Sequence, residues 1–208
     1  PFIHTISPFM IERAYEQIKL DLSYNKCKCI MVSANGPFDY NKLGPTHHCS
    51  SDVSLLALLE NIEIYLPGTT QDVKDCINEC LENTSSSYIR LSSHPVDDKG
   101  FASGTIVSNS DSNNKLNIYI GESLNLFNYT HSELQNSDHL YVHSYKQIPK
   151  DLSIYKDIVF WEPYSAPVFA QKFRNERGSM QKIISNIYPT NIETGIFMFP
   201  PQFKKVII

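Results

Sequence analysis

The densest group of chemically versatile side chains in this 208-residue sequence is Gly44-Pro45-Thr46-His47-His48-Cys49. A Gly-Pro turn fixes the backbone, and Thr46 and His47 can then project polar atoms into a cleft. A neutral imidazole in that position can donate a hydrogen bond to a substrate oxygen or relay a proton near neutral pH. The plainer reading is a loop whose histidines satisfy local backbone groups. His47, His48 and Cys49 have the atom types zinc prefers, but three adjacent residues do not readily face one tetrahedral centre, and no second ligand pair has finger spacing. Cys49 has no base and orienting group beside it, so a cysteine nucleophile has little support. A second group, Phe9, Glu12 and Tyr15, falls on one helical stripe. Two rings framing a carboxylate can clasp a flat heterocycle, with Tyr15 adding a polar tip; equally, both rings can be core.

Something must position these groups. Ser7 reads as an N-cap and Pro8 as the first residue of a helix running to Leu22, with Phe9, Ala14, Tyr15, Ile18 and Leu22 at helical spacing. Lys28 to Ser33 reads as a buried parallel strand, and Asn35 to Cys49 as a long polar loop of the kind that carries function. A helix over Asp52 to Leu59, a strand over Ile62 to Leu66 and a Pro67-Gly68 stop follow. Thr70 reads as the cap of a helix over Gln71 to Glu82 with Val73, Ile77 and Leu81 on one face, and Ser87 to Leu91 reads as a strand. The alternation is that of a parallel α/β sheet, with the loop at a strand's carboxyl end, where open α/β sheets place ligands.

Past Ser108 to Asn114, a polar stretch with the composition of a connection, Leu116 to Ile120, His139 to His143 and Ile158 to Trp161 read as strands with weak helical signals between them. Ile196 to Ile208 holds Pro200-Pro201 and a terminal apolar strand. Two units are expected, 1–107 and 115–208, the second a thinned α/β domain. There are 18 Lys plus Arg against 22 Asp plus Glu, so no basic field attracts nucleic acid. No apolar run is long enough to span a bilayer and no signal peptide opens the sequence, so no membrane partner is expected. Five cysteines, an odd number, fit a reducing compartment; Cys27 with Cys29 and Cys76 with Cys80 read as buried filler. The sequons at Asn83 and Asn128 carry little weight. Opening on Pro1, the sequence reads as processed or as a piece of something longer.

Four stretches, ISPFMIERAYEQIKLD (6–21), LGPTHHCSSD (43–52), ENIEIYLP (60–67) and SYIRL (87–91), in this order and spacing, resemble the pyrimidine-binding domain of transketolases. The likeness is greatest to the separately encoded C-terminal sections of split transketolases; it covers the first half well and the second, similar to the transketolase C-terminal domain, loosely. The resemblance implies an α/β fold with a parallel-sheet thiamine-diphosphate-binding (pyrimidine) domain, incomplete at its N-terminus, followed by a smaller α/β domain. It further implies a cytoplasmic, dimer-forming transferase of carbohydrate metabolism, of the pentose phosphate type. Such an enzyme is thiamine diphosphate-dependent and moves a two-carbon ketol unit between sugar phosphates. The implied partner is a thiamine-diphosphate-binding N-terminal section, or a second copy of a longer chain, that holds the diphosphate and its Mg2+ or Ca2+. By the same resemblance Phe9 and Tyr15 enclose the pyrimidine and Glu12 lies between them. His47 faces the reacting carbons as the catalytic and substrate-binding residue, and His48 flanks the substrate.

The departures are equally specific. The family's cofactor-activating glutamate falls upstream of this helix, outside the sequence, so the chain alone is expected to be inactive. Leu43 stands where many transketolases have Asp, Asn35 near a common His, and Ser92-Ser93-His94 where a phosphate-binding Arg is usual. Glu162-Pro163-Tyr164-Ser165-Ala166 lacks the family's Gly-rich turn. These departures fit a catalytically silent structural or interaction subunit as an alternative. The sister families, 1-deoxyxylulose-5-phosphate synthase and the 2-oxoacid dehydrogenase beta subunits, are a third reading, away from which the Leu43 to His48 word points.

Overall fold

A computed structural model describes residues 1–93, 96, 102–108, 114–126, 137–162, 168–177, 182–187 and 204–207. His94, the turn 163–166, the sequon at Asn128, Pro200-Pro201 and most of the connection 108–114 lie outside those residues. The apolar run near residue 30 forms β2 (Ile30–Ala34), buried through Ser33. Its neighbours are β1 (Phe2–Ile6) and β4 (Ser86–Arg90), and β3 (Ile62–Tyr65) lies beyond β4, all parallel in the order β1-β2-β4-β3. The expected alternation holds, with ends shifted by one to three residues. β1 is an addition, an edge strand whose Phe2 and Ile3 are exposed and give no alternating signal.

The first helical run begins at Pro8 as expected but winds wide, as Pro8–Glu12, α1 (Tyr15–Gln17) and Ile18–Tyr24. The Arg13 N–H reaches back to the Pro8 carbonyl (3.2 Å) and that of Asn25 to Leu20 (3.3 Å), both five residues away. Ser7 does not cap it. Its backbone is already helical, and its buried hydroxyl donates instead to Ser33 Oγ at 2.9 Å inside the sheet. α2 (Asp52–Leu56) is shorter than its apolar pattern suggested.

α3 (Thr70–Glu82) corrects the reading twice. Thr69, not Thr70, is the cap: Thr69 Oγ1 accepts from the Asp72 N–H (3.1 Å) while the Asp72 carboxylate accepts from the Thr69 N–H (2.8 Å). The inward face is Asp72, Cys76 and Cys80, whereas Ile77 and Leu81 are exposed. Asp72 sets that rotation. It also accepts from Tyr141 Oη (2.6 Å) and faces His143 Nδ1 (3.4 Å), and with Asp72 inward, the residues four and eight positions on follow it.

The second sheet has the order β10-β9-β8-β6-β7-β5. Its centre is the three strands expected from sequence, β6 (Lys115–Ile120), β7 (Asp138–Val142) and β8 (Asp157–Glu162), mutually parallel through β6. β9 (Lys182–Ile187) adds parallel to β8, and β10 (Lys204–Ile207), the expected terminal strand, pairs antiparallel with β9. β5 (Ile106–Val107) pairs antiparallel with β7, so the chain has joined the second sheet before residue 108. α4 (Val168–Arg177) packs Phe169, Ala170 and Phe173 on Leu116, Ile118 and Phe160, and Val53 and Leu66 of the first unit complete the same core.

The two sheets meet at a close backbone crossing. The Leu66 N–H donates to the His143 carbonyl at 2.8 Å, and the Gly68 N–H to Tyr141 Oη at 2.9 Å. Gly121 has φ +57°, and a Cβ there would lie 2.5 Å from the Leu66 carbonyl oxygen. Gly121→Ala is therefore expected to lower unfolding free energy by about 2–4 kcal/mol, read as a fall in the urea midpoint at constant slope. An unchanged midpoint would mean the crossing is slack.

Asp72 gives an acid-side signature. Burial raises its pKa, but hydrogen bonds from His143, Tyr141 and Thr69 outweigh that and hold it at about 2, below the ordinary 3.8. A depressed acid stabilises the fold above its unfolded pKa, and that contribution disappears as pH falls toward 2. Asp72→Asn should flatten the urea-midpoint profile between pH 4 and 2; a profile parallel to that of the parent chain would remove Asp72 from the acid response.

Candidate functional site

The loop that follows β2 is built to hold one imidazole. Asn35, at φ +72°, turns the chain off the end of β2. Asp39 then fastens the loop, its Oδ2 accepting from the Gly36 N–H (2.7 Å) and from the Ser93 N–H beyond β4 (2.8 Å). The Cys49 N–H donates to the Pro37 carbonyl at 2.9 Å and closes the base. Between these ties lie two 3-10 turns, Asn41–Leu43 and Pro45–His47, the second entered through Gly44 at φ +82°.

His47 is half-buried. Its ring centroid lies 5.4 Å from that of Phe9, tilted 57°, and 6.3 Å from that of Tyr40, edge-on at 79°. Its Nδ1 is 3.0 Å from Thr46 Oγ1, which leaves Nε2 without a partner among the described residues. Phe9, half-buried, carries the Arg13 guanidinium 3.9 Å from its ring centroid. Phe9 and His47 are thus brought together. Glu12 is exposed and accepts from Ser51 Oγ at 2.6 Å, tying Pro8–Glu12 to the start of α2. Tyr15 Oη donates to the Leu55 carbonyl at 3.2 Å, a second tie to α2. His48 sits edge-on to Phe38, 5.4 Å between centroids, and not in the Phe9–His47 contact. Sequence reasoning missed Tyr40; its only signal was an aromatic near a Gly-Pro turn.

A buried polar layer underlies the loop. Arg90 Nη1 meets Asp52 Oδ1 at 3.0 Å, with side chains 3% and 0% exposed. Tyr88 Oη donates to Asp52 Oδ2 at 2.6 Å and lies 2.9 Å from Ser33 Oγ. Asp52 is the first residue of α2, so this layer fixes the helix to which Glu12 and Tyr15 are tied. Burial raises the Tyr88 hydroxyl well above its ordinary range, with the Asp52 charge adding to it. Burial, reinforced by Asp52 and Glu12, likewise pushes the Cys49 thiol up, which holds it as a neutral thiol and not a nucleophile. Glu122 enters from the end of β6, with Arg90 Nη2 3.9 Å from its Oε1. Burial drives its carboxyl up to about 7, against the opposing pull of Arg90 and a hydrogen bond from Ser92. Asp52 and Arg90 appeared in the sequence only within longer words; a lone Arg in an apolar strand was the available signal for a buried partner.

Chemically, this is a parallel α/β unit with an aromatic face and a hydrogen-bonding imidazole at the carboxyl ends of its strands. Residues 1–96 match the family model described as transketolase, pyrimidine binding domain. A 33.6 kDa protein in the fasciation locus of Rhodococcoides fascians is 30% identical over 93 residues, 45% of this chain and 30% of that protein. One of the subunits of an apulose-4-phosphate transketolase from Actinobacillus succinogenes is 30% identical over 105 residues, 48% of this chain and 34% of that one. The chain spans about a third of the length of these curated relatives. Among solved structures, a split-gene transketolase, described as an inactive beta4 tetramer, superposes with a TM-score of 0.69 at 18% identity, covering 89% of this chain and 65% of that one. The resemblance read from the four words is therefore matched both by family model and by fold. Among the described residues no helix is long and apolar enough to cross a membrane.

Removing Asp52 takes from the buried Arg90 the closer of its two carboxylate contacts among the described residues. Asp52→Ala is expected to cost about 3–5 kcal/mol of stability, measured by urea unfolding. A loss under about 1 kcal/mol would place the pair among weak surface bridges.

Proposed function

We propose that this chain supplies the pyrimidine-binding half of a thiamine-diphosphate-dependent, transketolase-like enzyme that transfers a two-carbon ketol unit between sugar phosphates. The observation that carries the reading is the Phe9–His47 contact, which joins the helical stripe and the Gly-Pro word at one place. The fit to a flat heterocycle rests on Arg13: its guanidinium carbon lies over the Phe9 ring, 3.9 Å from the centroid, so that face of the ring is open to a planar polar group. Phe9 holds the aminopyrimidine, while Tyr15 and Glu12 brace the helical run against α2. When bound, thiamine diphosphate supplies the carbanion chemistry that a protein side chain lacks.

His47 acts through Nε2, donating to an oxygen of the substrate and stabilising the charge that develops there. Its Nδ1 contact with Thr46 and its position between Phe9 and Tyr40 hold the ring in place. His48, edge-on to Phe38, flanks the substrate. The diphosphate and its Mg2+ or Ca2+ belong to a partner chain, while the activating glutamate belongs to the stretch upstream of Pro1. A relative matched over this region is named as one subunit of a transketolase, which supports a divided enzyme. The apulose 4-phosphate in that relative's name supports phosphorylated ketoses as the substrate class. The polar connection at 108–114 divides the pyrimidine unit, 1–107, from a C-terminal-like unit, 115–208, with β5 as the strand that reaches across.

In a complex reconstituted with the diphosphate-binding chain, His47→Ala should lower kcat at least ~100-fold; a variant with full turnover would remove His47 from the reaction. Phe9→Ala should weaken cofactor binding by about 1–3 kcal/mol, followed by thiamine diphosphate titration of that complex. Superimposable titrations would return Phe9 to the core.

A further inference from the structure

We propose that Glu122, a residue of the second unit, is a positioning residue for the loop that carries His47, and that it works as the neutral acid. Gly121 and Gly68 bring the two backbones so close that a Cβ on Gly68 would lie 2.7 Å from the Gly121 carbonyl oxygen. That crossing fixes the start of the Gly121–Leu126 turn and delivers Glu122, 6% exposed, beneath the loop. A Cβ on Gly36 would stand 3.3 Å from Glu122 Oε1 and 3.3 Å from Asp39 Oδ1, so the two oxygens border the same space beside Gly36. Both of those oxygens are buried with no hydrogen-bond partner among the described residues.

Two acceptor oxygens bordering one gap are a hydrogen-bonding deficit that a single proton resolves. A carboxyl group on Glu122 can donate to the Asp39 carboxylate, whose other oxygen is already committed to the Gly36 and Ser93 N–H groups. Two ionised carboxylates there would instead repel each other, and Asp39 is the fastening of the loop.

The charged groups that face Glu122 come from three elements. Arg90 on β4 favours ionisation, with Nη2 3.9 Å from Oε1, but its Nη1 is engaged by Asp52 at 3.0 Å. Asp39 from the loop and Asp52 from α2 oppose ionisation, and Ser92 adds a hydrogen bond that favours it. Burial outweighs these and places the carboxyl at about 7. A raised acid gives its stabilisation in full below its unfolded pKa and loses it as pH rises through 7, so the fastening loosens on the alkaline side. The functional weight of this proposal rests on the thiamine-diphosphate reading of His47, but its test does not.

The test is amide hydrogen exchange of the chain without cofactor, read by mass spectrometry between pH 5.5 and 8.5 and corrected for intrinsic rates. Peptides over 36–49 should lose protection, by up to about tenfold per pH unit, as pH rises to the Glu122 transition and level off above it, while α3 peptides stay constant and report global folding. Glu122→Gln, which is permanently neutral and can donate to Asp39, should abolish that pH dependence and keep the loop protected. Glu122→Asp, shorter and ionisable, should retain the pH dependence with weaker protection. Loop protection in the parent chain that is flat with pH, or a Glu122→Gln profile that tracks it, would overturn the proposal. Either result leaves the cofactor titration of the reconstituted complex to be judged separately.

Discussion

The buried ion pair between Arg90 and Asp52 is the constraint around which the first unit is arranged. A guanidinium at the end of a central strand has no solvent there, so its charge must be met from within. Asp52 meets it, and because Asp52 opens α2, the pair fixes where that helix starts. Tyr88 and Val53 occupy further lone pairs of the same carboxylate, and Ser7 and Ser33 complete the layer through Tyr88. Ser7 is thereby drawn into the sheet and cannot cap the helix it precedes. Glu12 and Tyr15, tied to Ser51 and Leu55, then set the helical run that presents Phe9. A polar requirement deep in the sheet thus determines where an aromatic ring stands at the surface.

A second polar centre performs the equivalent task between the units. Asp72 closes the capping box of α3, receives Tyr141 and faces His143, so one carboxylate ties a helix of the first unit to a strand of the second. Next to it the Leu66, Gly68 and Gly121 backbones cross with no room for a side chain. Apolar packing follows: Val53 and Leu66 lie in the same core as β6, β7 and β8. The units are not beads on a linker, and this is why a residue of the second can reach beneath a loop of the first.

The proposed chemistry takes little from the chain itself: an aromatic face, an oriented imidazole and a loop that keeps both in register. That economy is the expected division where a cofactor carries the bond-making step and the protein supplies position and electrostatics.

The sequence alone determined the elements whose signals are local. The alternation of helix and strand, Pro8 as a helix start and the three central strands of the second sheet follow from periodicity and backbone chemistry, which neighbouring residues impose on one another. It also marked Phe9 and His47, through words whose order and spacing are themselves local records. Only the tertiary structure decided the rest. The face of α3 was chosen by partners on β7, against an apolar stripe that pointed the other way, and the cap moved to Thr69 because Asp72 answers both. β1 is held by hydrogen bonds to β2 and not by a buried face of its own. Tyr40 beside His47, Asp52 beneath Arg90 and Glu122 beneath the loop are pairings that residue spacing does not mark. Their energies come from desolvation and charge at one point in space, which distance along a sequence does not encode.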